Sequence, residues 1–166
     1  RDRMLAVHVD DSPALFFRGY ENTETQPFKD GWYLTGDTVE RNADGSIAFV
    51  GRSDDVITSS GYRIGPFDVE SCLLEHPDVV EAAAVGKPDP ERFERVKAYV
   101  VLRPGVAGDE ALAAALAQHV KTRLSAHAYP REIAFVDELP KTPSGKIQRF
   151  LLRNQARAEA ETAPAA

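Results

Sequence analysis

Lys146 lies in the stretch LPKTPSGKIQR, directly after a Ser-Gly pair and before a predicted helix. A glycine and a lysine at the start of a helix are typical of loops that bind phosphate. The Walker form of such a loop is excluded, because it requires glycine five residues before the Gly-Lys pair and serine or threonine after it. Pro140 and Ile147 occupy those positions. From its own neighbourhood, Lys146 is either an exposed turn lysine or part of another kind of phosphate site.

Two further polar segments could do chemistry. Asp37 ends the run GWYLTGD, where its carboxylate either caps the Thr-Gly turn or accepts hydrogen bonds from two adjacent sugar hydroxyls, a common way to hold ribose. From Gly51 the chain reads GRSDDVITSSGYRIGP, with two acids beside an arginine and two apolar residues, Val56 and Ile57, in the middle. A purely structural loop rarely needs so many polar groups.

The elements that must position these residues change in type at about Arg52. Before it, we predict short strands in the aromatic runs ALFFRGY and GWYLTG, and a hairpin in TVERNADGSIAFVGR with Asp44-Gly45 at its turn. The opening run MLAVHV has no capping element before it, so we expect this part to be the edge of a larger β structure.

After Arg52 the periodicity predicts three helices, from Pro66 to about His76, from Asp109 to about Ser125, and from Ile147 to about Ala158. Strands are predicted in VVEAAAVG and VKAYVVLR, separated by a polar turn KPDPERFER, and in EIAFVD. The fold class is therefore α+β, a short β-rich subdomain followed by a compact domain with a three-stranded sheet and flanking helices. The tail AEAETAPAA is predicted to fray.

Composition narrows the classes of function. A net charge of −6 argues against a general nucleic-acid binder, although Leu139–Ala158 is basic without any acid and forms either a local anion site or a solvated helix face. No apolar run is long enough for a membrane span, and a cytoplasmic location is the default expectation. The single cysteine, Cys72, is expected to be buried and inert, and the four scattered histidines predict no protein-built metal site.

The three segments YLTGD, GRSDDVITSSGYRIGPFDVE and PKTPSGKIQR, in this order and spacing, resemble the last conserved blocks of the adenylate-forming acyl-CoA synthetases. The resemblance runs from about Ala14 to Arg153, and the Gly-Tyr-Arg form and YPREIAFVDELPKT are most similar to the medium-chain branch. It implies a reaction in two steps. A carboxylate and ATP with Mg give acyl-AMP, and the thiol of CoA then takes the acyl group.

The resemblance also implies a domain organisation. Residues 1–53 would be the last β subdomain of a large N-terminal adenylating domain, residues 54–155 a mobile C-terminal AMP-binding-enzyme domain, and residues 156–166 a disordered tail. The family's Gly-rich phosphate loop and acyl pocket belong to the large domain, which is the expected partner together with carboxylic acid, ATP and CoA. We therefore expect the isolated chain to be inactive.

By resemblance, Lys146 is the catalytic residue of the first step, where a mobile ammonium stabilises the charge that grows as a carboxylate attacks the α-phosphate. Asp37 would hold the ribose hydroxyls, Arg52 and Arg63 the nucleotide, and Asp54 would be the hinge. The residues implied for CoA binding are Ser60, Gly61, Tyr62, Arg92, Lys121, Tyr129 and Arg131. Relatives commonly show a glycine-containing turn where this chain has Phe93-Glu94, immediately after Arg92.

Other interpretations stay open at this point. A peptide-synthetase adenylation domain or a luciferase relative shares the adenylation motifs but passes the adenylate to another acceptor. A non-catalytic module that binds nucleotide or CoA belongs to a different class. The catalytic lysine of related synthetases can be acetylated, so a protein lysine acetyltransferase acting on Lys146 is a further expected partner.

Overall fold

The computed structural model describes residues 3–13, 15–21 and 26–162. The backbone divides into two compact units, Arg1–Asp54 and Asp55–Ala166. Among the described residues, strands make up the regular structure of the first unit, and the second unit combines a sheet with helices, so the predicted α+β class is confirmed. In these described stretches no helix is long and apolar enough to cross a membrane.

The first unit is a four-stranded sheet built around β3, Trp32–Arg41. Its other strands are β1 (Arg3–His8), β2 (Phe28–Lys29) and β4 (Ile47–Arg52), and each pairs with β3 in the antiparallel sense. The long β3 strand therefore takes part in every strand pairing of this sheet. Its second half, together with β4, forms the predicted hairpin.

The hairpin turn lies where Asp44-Gly45 predicts it. Asp44 Oδ1 accepts hydrogen bonds from the backbone amide of Ser46 at 2.9 Å and from its hydroxyl at 2.7 Å. These hydrogen bonds lower the pKa of Asp44. Gly45 has a φ of +87°, a conformation that glycine adopts without a steric penalty. The turn residues thus set the register of β3 and β4.

The strand predicted in ALFFRGY is wrong. Residues 15–20 form no strand, and the first residue of the run lies outside the described residues. The Gln26 side chain accepts from the amide of Tyr20 and donates to its carbonyl, both at 2.9 Å. Phe17 packs against Tyr33 with ring centroids 5.3 Å apart. Side-chain contacts, and not a β ladder, therefore hold this aromatic run.

The second unit contains a five-stranded sheet, so the three-stranded prediction is wrong in its count. The three predicted strands are present as β7 (Val79–Asp89), β8 (Phe93–Leu102) and β9 (Glu132–Phe135). Two short strands, β5 (Ile57–Ser59) and β6 (Tyr62–Ile64), complete the order β6-β5-β8-β7, with β9 parallel to β8. Strands of three residues are too short to show an alternating pattern.

The polar turn predicted between β7 and β8 is shorter than expected. Both strands extend into KPDPERFER, where Lys87 pairs with Arg95 and Asp89 with Phe93, leaving residues 90–92 as the turn. The side chains at these strand ends are mostly polar, so a hydrophobicity pattern does not indicate that they belong to strands. Asp89 Oδ1 fastens the turn by accepting two backbone amides at 3.0 Å each.

Three helices cover the sheet, α1 (Pro66–Leu74), α2 (Glu110–Arg123) and α3 (Arg149–Thr162). Their starts follow local chemistry. Pro66 occupies the first turn of α1, and the Asp109 side chain caps α2 by accepting the amide of Leu112 at 2.8 Å.

The sheet is buried on both faces, because successive strand residues point to opposite sides. On β7, Ala82 and Ala84 join the core formed with α1 and α2, whereas Ala83 and Val85 join the core formed with α3. Burial of one large side chain such as Leu73 contributes about 1.5–3 kcal/mol. This arrangement explains why the strands read as nearly continuous apolar runs.

Helix α3 continues past its predicted end at Ala158, and the disordered tail predicted for residues 156–166 is wrong for residues 156–162. Ala156 is fully buried in the second core, and Glu159 forms ion pairs with Lys87 and Lys97. These contacts with the sheet hold the last turns of the helix. Residues 163–166 lie outside the described residues.

The ion pairs of Glu159 belong to a partly buried cluster of Lys87, Lys97, Glu132 and Glu159. The lysine side chains are only 8% and 3% exposed, and their Nζ atoms lie 2.9 and 2.8 Å from oxygens of Glu132. Hydrogen bonding to Lys97, then to Lys87, lowers the pKa of Glu159 from its ordinary 4.5 to about 2. Burial alone would raise the pKa of Glu132, but the same two lysines lower it.

This cluster predicts a defined loss of stability in acid. Because its folded-state pKa is depressed, Glu159 contributes stability above its ordinary pKa of 4.5, and that contribution disappears as the pH falls towards 2. We expect the difference in unfolding free energy between the wild type and Glu159→Gln to be largest near pH 7 and to shrink between about pH 5 and pH 2. Urea unfolding of the chain at several pH values measures it. Glu161→Gln, on the same helix, is the control, and a difference independent of pH would contradict the assignment.

Candidate functional site

Asp37 and Arg52 lie opposite each other on β3 and β4. Arg52 Nη1 donates to Asp37 Oδ1 at 3.2 Å and to the carbonyl of Thr35 at 2.9 Å. Gly36 has no side chain, and a Cβ there would lie 2.7 Å from Arg52 Nη2, so glycine lets the guanidinium lie close to the backbone. The structure thus brings together two of the predicted nucleotide-binding residues, both of them partly exposed.

Asp54 is the last residue of the first unit. Its side chain is well exposed, and Arg52 Nε lies 3.6 Å from Asp54 Oδ1. The residue before it is fixed to the first unit, because the amide of Ser53 donates to the carbonyl of Gly36 at 2.8 Å. The predicted hinge therefore coincides with the point where the contacts of one unit end.

Ser60 and Gly61 form the two-residue turn that joins β5 and β6. Their φ angles are +50° and +83°, the left-handed pair that a tight hairpin of this type requires. Nothing lies within 4 Å of a Cβ placed on Gly61, so its backbone is open to close approach. Arg92 Nη1 donates to Ser60 Oγ at 3.0 Å, and the amide of Ser60 donates to the carbonyl of Arg92 at 2.9 Å.

The remaining residues predicted to bind CoA are aromatic or lie against an aromatic ring. Tyr62 stacks on His127 with ring centroids 4.0 Å apart. The Tyr129 ring lies 4.0 Å from Arg131 Cζ and 5.3 Å from Lys121 Nζ, distances at which cations are attracted to an aromatic face. His127 was not among the residues singled out in the sequence, since a histidine that stacks on a ring has no ligand spacing to reveal it.

Arg63 lies on β6 and lines a small pocket with His127 and Asp68. Phe93, at the start of β8, has a φ of +71° and a side chain that is 73% exposed. Glycine adopts such an angle without strain and phenylalanine does not. This chain therefore keeps the backbone shape of a glycine-containing turn while presenting an aromatic ring beside Arg92.

Lys146 ends a compact loop, residues 142–146. The amide of Thr142 donates to the carbonyl of Lys146 at 2.8 Å, and the amides of Gly145 and Lys146 donate to the carbonyl and the hydroxyl of Thr142 at 2.8 and 3.0 Å. A bridge between Lys141 and Ile147 closes the base of the loop. The backbone that carries Lys146 is thus held by its own hydrogen bonds.

The side chain of Lys146 is exposed, and no ion pair of the described residues uses its ammonium. Its neighbour Lys141 differs, because Lys141 Nζ lies 2.6 Å from Glu81 Oε1. In the described part of the chain, no group of three or more His, Cys, Asp or Glu side chains is placed to hold a metal ion. Lys146 thus presents an exposed side chain from a loop whose backbone is held by hydrogen bonds.

Residues 68–146 match the family described as the AMP-binding enzyme C-terminal domain. The chain therefore carries a domain of this family, over just under half of its length. It is 53% identical over 157 residues to the mitochondrial acyl-coenzyme A synthetase ACSM5 of Mus musculus. It is 49% identical over 153 residues to 4-hydroxybutyrate–CoA ligase 1 of Metallosphaera sedula. Both alignments cover 91% of this chain and 27% of the relative.

A solved structure agrees with these relatives. The crystal structure of the Brucella canis acyl-CoA synthetase superposes with a TM-score of 0.65 at 63% identity and covers 97% of this chain and 30% of that one. The relatives named here are acyl-CoA synthetases or CoA ligases. This chain spans little more than a quarter of the length of its curated relatives.

The geometry of the Lys146 loop predicts which substitutions of Gly145 cost more stability, and the expected order does not follow side-chain size. Its φ is +83°, and a Cβ there would meet nothing within 4 Å, so the cost of a side chain is conformational and not steric crowding. Gly145→Ala is expected to lower the unfolding free energy by about 1–2 kcal/mol. The larger Gly145→Asn should cost less, because asparagine tolerates this conformation. Urea unfolding tests the order, and an equal or reversed order would contradict the loop geometry.

Proposed function

We propose that this chain is the C-terminal part of an AMP-forming acyl-CoA synthetase and acts with a large N-terminal adenylating domain. The observation that carries the proposal is the Lys146 loop, an ordered turn that presents an exposed ammonium. The pairing of Asp37 with Arg52 supports it, since a carboxylate and a guanidinium side by side suit ribose and phosphate. The three relatives named above, which are acyl-CoA synthetases or CoA ligases by name, support it further.

In the first step, an oxygen of the substrate carboxylate attacks the α-phosphorus of ATP. The bond from that phosphorus to the bridging oxygen breaks, and pyrophosphate leaves with the electron pair, so that acyl-AMP forms. Two anions approach each other in this step, and the ammonium of Lys146 would donate to both and stabilise the growing charge. Asp37 would hold the ribose, and Arg52 and Arg63 the nucleotide. ATP would bring Mg, bound mainly by the N-terminal domain.

In the second step, the CoA thiol loses its proton to solvent and its sulfur attacks the acyl carbonyl carbon. The bond from that carbon to the phosphate oxygen breaks, and AMP leaves with the electron pair. We propose that the Ser60-Gly61 turn and Tyr62 line the path of the pantetheine chain, since Gly61 leaves its backbone open. Arg92, fixed to Ser60, and the cationic pair around Tyr129 would bind the phosphates of CoA. The members of that pair are Lys121 and Arg131.

Asp54 is the proposed hinge, the residue whose backbone angles would change between the first step and the second. A hinge residue has to lie where the contacts of one body end, and absorb a large change in backbone angles. The unit boundary after Asp54 supports this role.

We propose that the exposed ammonium of Lys146 is also a site of regulation by acetylation. A protein lysine acetyltransferase acting on Lys146 would neutralise the charge that the first step requires. We also propose a cytoplasmic location.

The two half-reactions separate the proposed role of Lys146 from a structural one. In the protein that joins this chain to its adenylating domain, Lys146→Ala should reduce pyrophosphate release with butanoate, octanoate or dodecanoate on the order of a hundredfold or more. Conversion of supplied acyl-AMP and CoA to acyl-CoA should continue. Enzymatic acetylation of Lys146 should give the same pattern, because it removes the same charge.

Arg157→Ala is the matched control, since it removes an exposed cation from the same basic segment. Both half-reactions should persist in that variant. Equal loss of both half-reactions in Lys146→Ala would contradict the role assigned to this lysine. Retention of both would contradict it as well.

A further inference from the structure

Glu70 is a buried carboxylate on α1 that faces two other elements. Its side chain is 6% exposed. Glu70 Oε1 accepts the backbone amide of Ala84 on β7 at 2.9 Å. Arg149, the first residue of α3, donates to both carboxylate oxygens, through Nε at 2.9 Å and Nη2 at 2.6 Å. A charge this deeply buried persists only when it is paired, so Glu70 ties α1, β7 and α3 together.

Arg149 also reaches the start of the unit. Its Nη1 lies 3.9 Å from Asp55 Oδ2, and Arg153, one turn further along α3, forms an ion pair with the same carboxylate. The Asp55 side chain is 13% exposed. Asp55 directly follows the proposed hinge residue, Asp54. A single cluster of four charged side chains therefore connects the residue after the hinge with the first turn of α3. Its members are Asp55, Glu70, Arg149 and Arg153.

The same cluster restrains the Lys146 loop. Arg149 follows Lys146 by three residues, which can span no more than about 10 Å. Between them, the amide of Gln148 donates to the carbonyl of Pro140 at 2.8 Å. With the loop closed at its base and its outgoing chain held by Arg149, the backbone of Lys146 has little freedom relative to Glu70.

We propose that Glu70 is a positioning residue for Lys146, and that the cluster of Asp55, Glu70, Arg149 and Arg153 makes the Lys146 loop rotate as one body with the segment after the hinge. This rests on the proposed function of Lys146. A reacting group displaced by about 1 Å can lose a hundredfold in rate, so a hinge that moved a loosely held loop would deliver the ammonium poorly. The cluster transmits the rotation to the loop.

Amide hydrogen exchange on the 166-residue chain tests the restraint without relying on any activity. Glu70→Gln should speed exchange of the Gly145 and Lys146 amides at least tenfold. Its control is Glu132→Gln, which removes one carboxylate charge from the partly buried cluster around Lys97. At equal global stability, similar exchange at the two loop amides in both variants would overturn the proposal. Arg149→Lys, which keeps the charge and loses the paired contact, replaces Glu70→Gln if that variant does not fold.

The second experiment measures the two half-reactions of the intact protein. Glu70→Gln should lower kcat for acyl-AMP formation about tenfold or more with little change in KM, and should spare thioester formation from supplied acyl-AMP. Glu132→Gln should leave the ratio of the two rates unchanged. If Lys146→Ala affects neither half-reaction, the proposed function fails while the exchange result still decides whether Glu70 restrains the loop. Fast exchange with an unchanged ratio of rates would overturn the positioning role.

Discussion

The negative charge of Glu70 has to be neutralised inside the second unit, and the paired contact with Arg149 does this. An unpaired carboxylate at this depth would cost several kcal/mol. Because Arg149 supplies the partner charge, the start of α3 lies against α1 and β7. The position of the Lys146 loop follows, because the loop leads directly into α3. A second, partly buried cluster around Lys97 fixes the far end of the same helix.

The proposed chemistry is divided between elements of different kinds. Rigid paired strands hold Asp37 and Arg52, and tight turns with left-handed residues present the Ser60 and Lys146 segments. Lys141 has an acidic partner within the chain, whereas the ammonium of Lys146 is left exposed. Such an arrangement suits a group that acts on a ligand bound mainly elsewhere, which agrees with a chain that spans 27% of its curated relatives.

The sequence predicted those features that depend on neighbouring residues. Apolar runs indicate β7 and β8, the Asp44-Gly45 pair indicates the hairpin, and the motif around Lys146 indicates the family. The features it did not predict depend on distant partners. Glu70 pairs with a residue 79 positions away, and Asp55 with one 98 positions away. The end of α3 is held by lysines of the sheet, and the run at Phe17 by side chains, so neither leaves a local pattern.

We propose that the second unit moves as one body and carries Lys146 with it. Pulsed electron paramagnetic resonance on the intact protein, with spin labels in pairs at Ala43, Ser71 and Ser144, measures this directly. Between the acyl-AMP complex and the complex with CoA, we expect the distance from Ala43 to Ser71 to change. The distance from Ser71 to Ser144 should keep one narrow distribution in both states. A fixed first distance, or a second distance that shifts or broadens, would contradict the account.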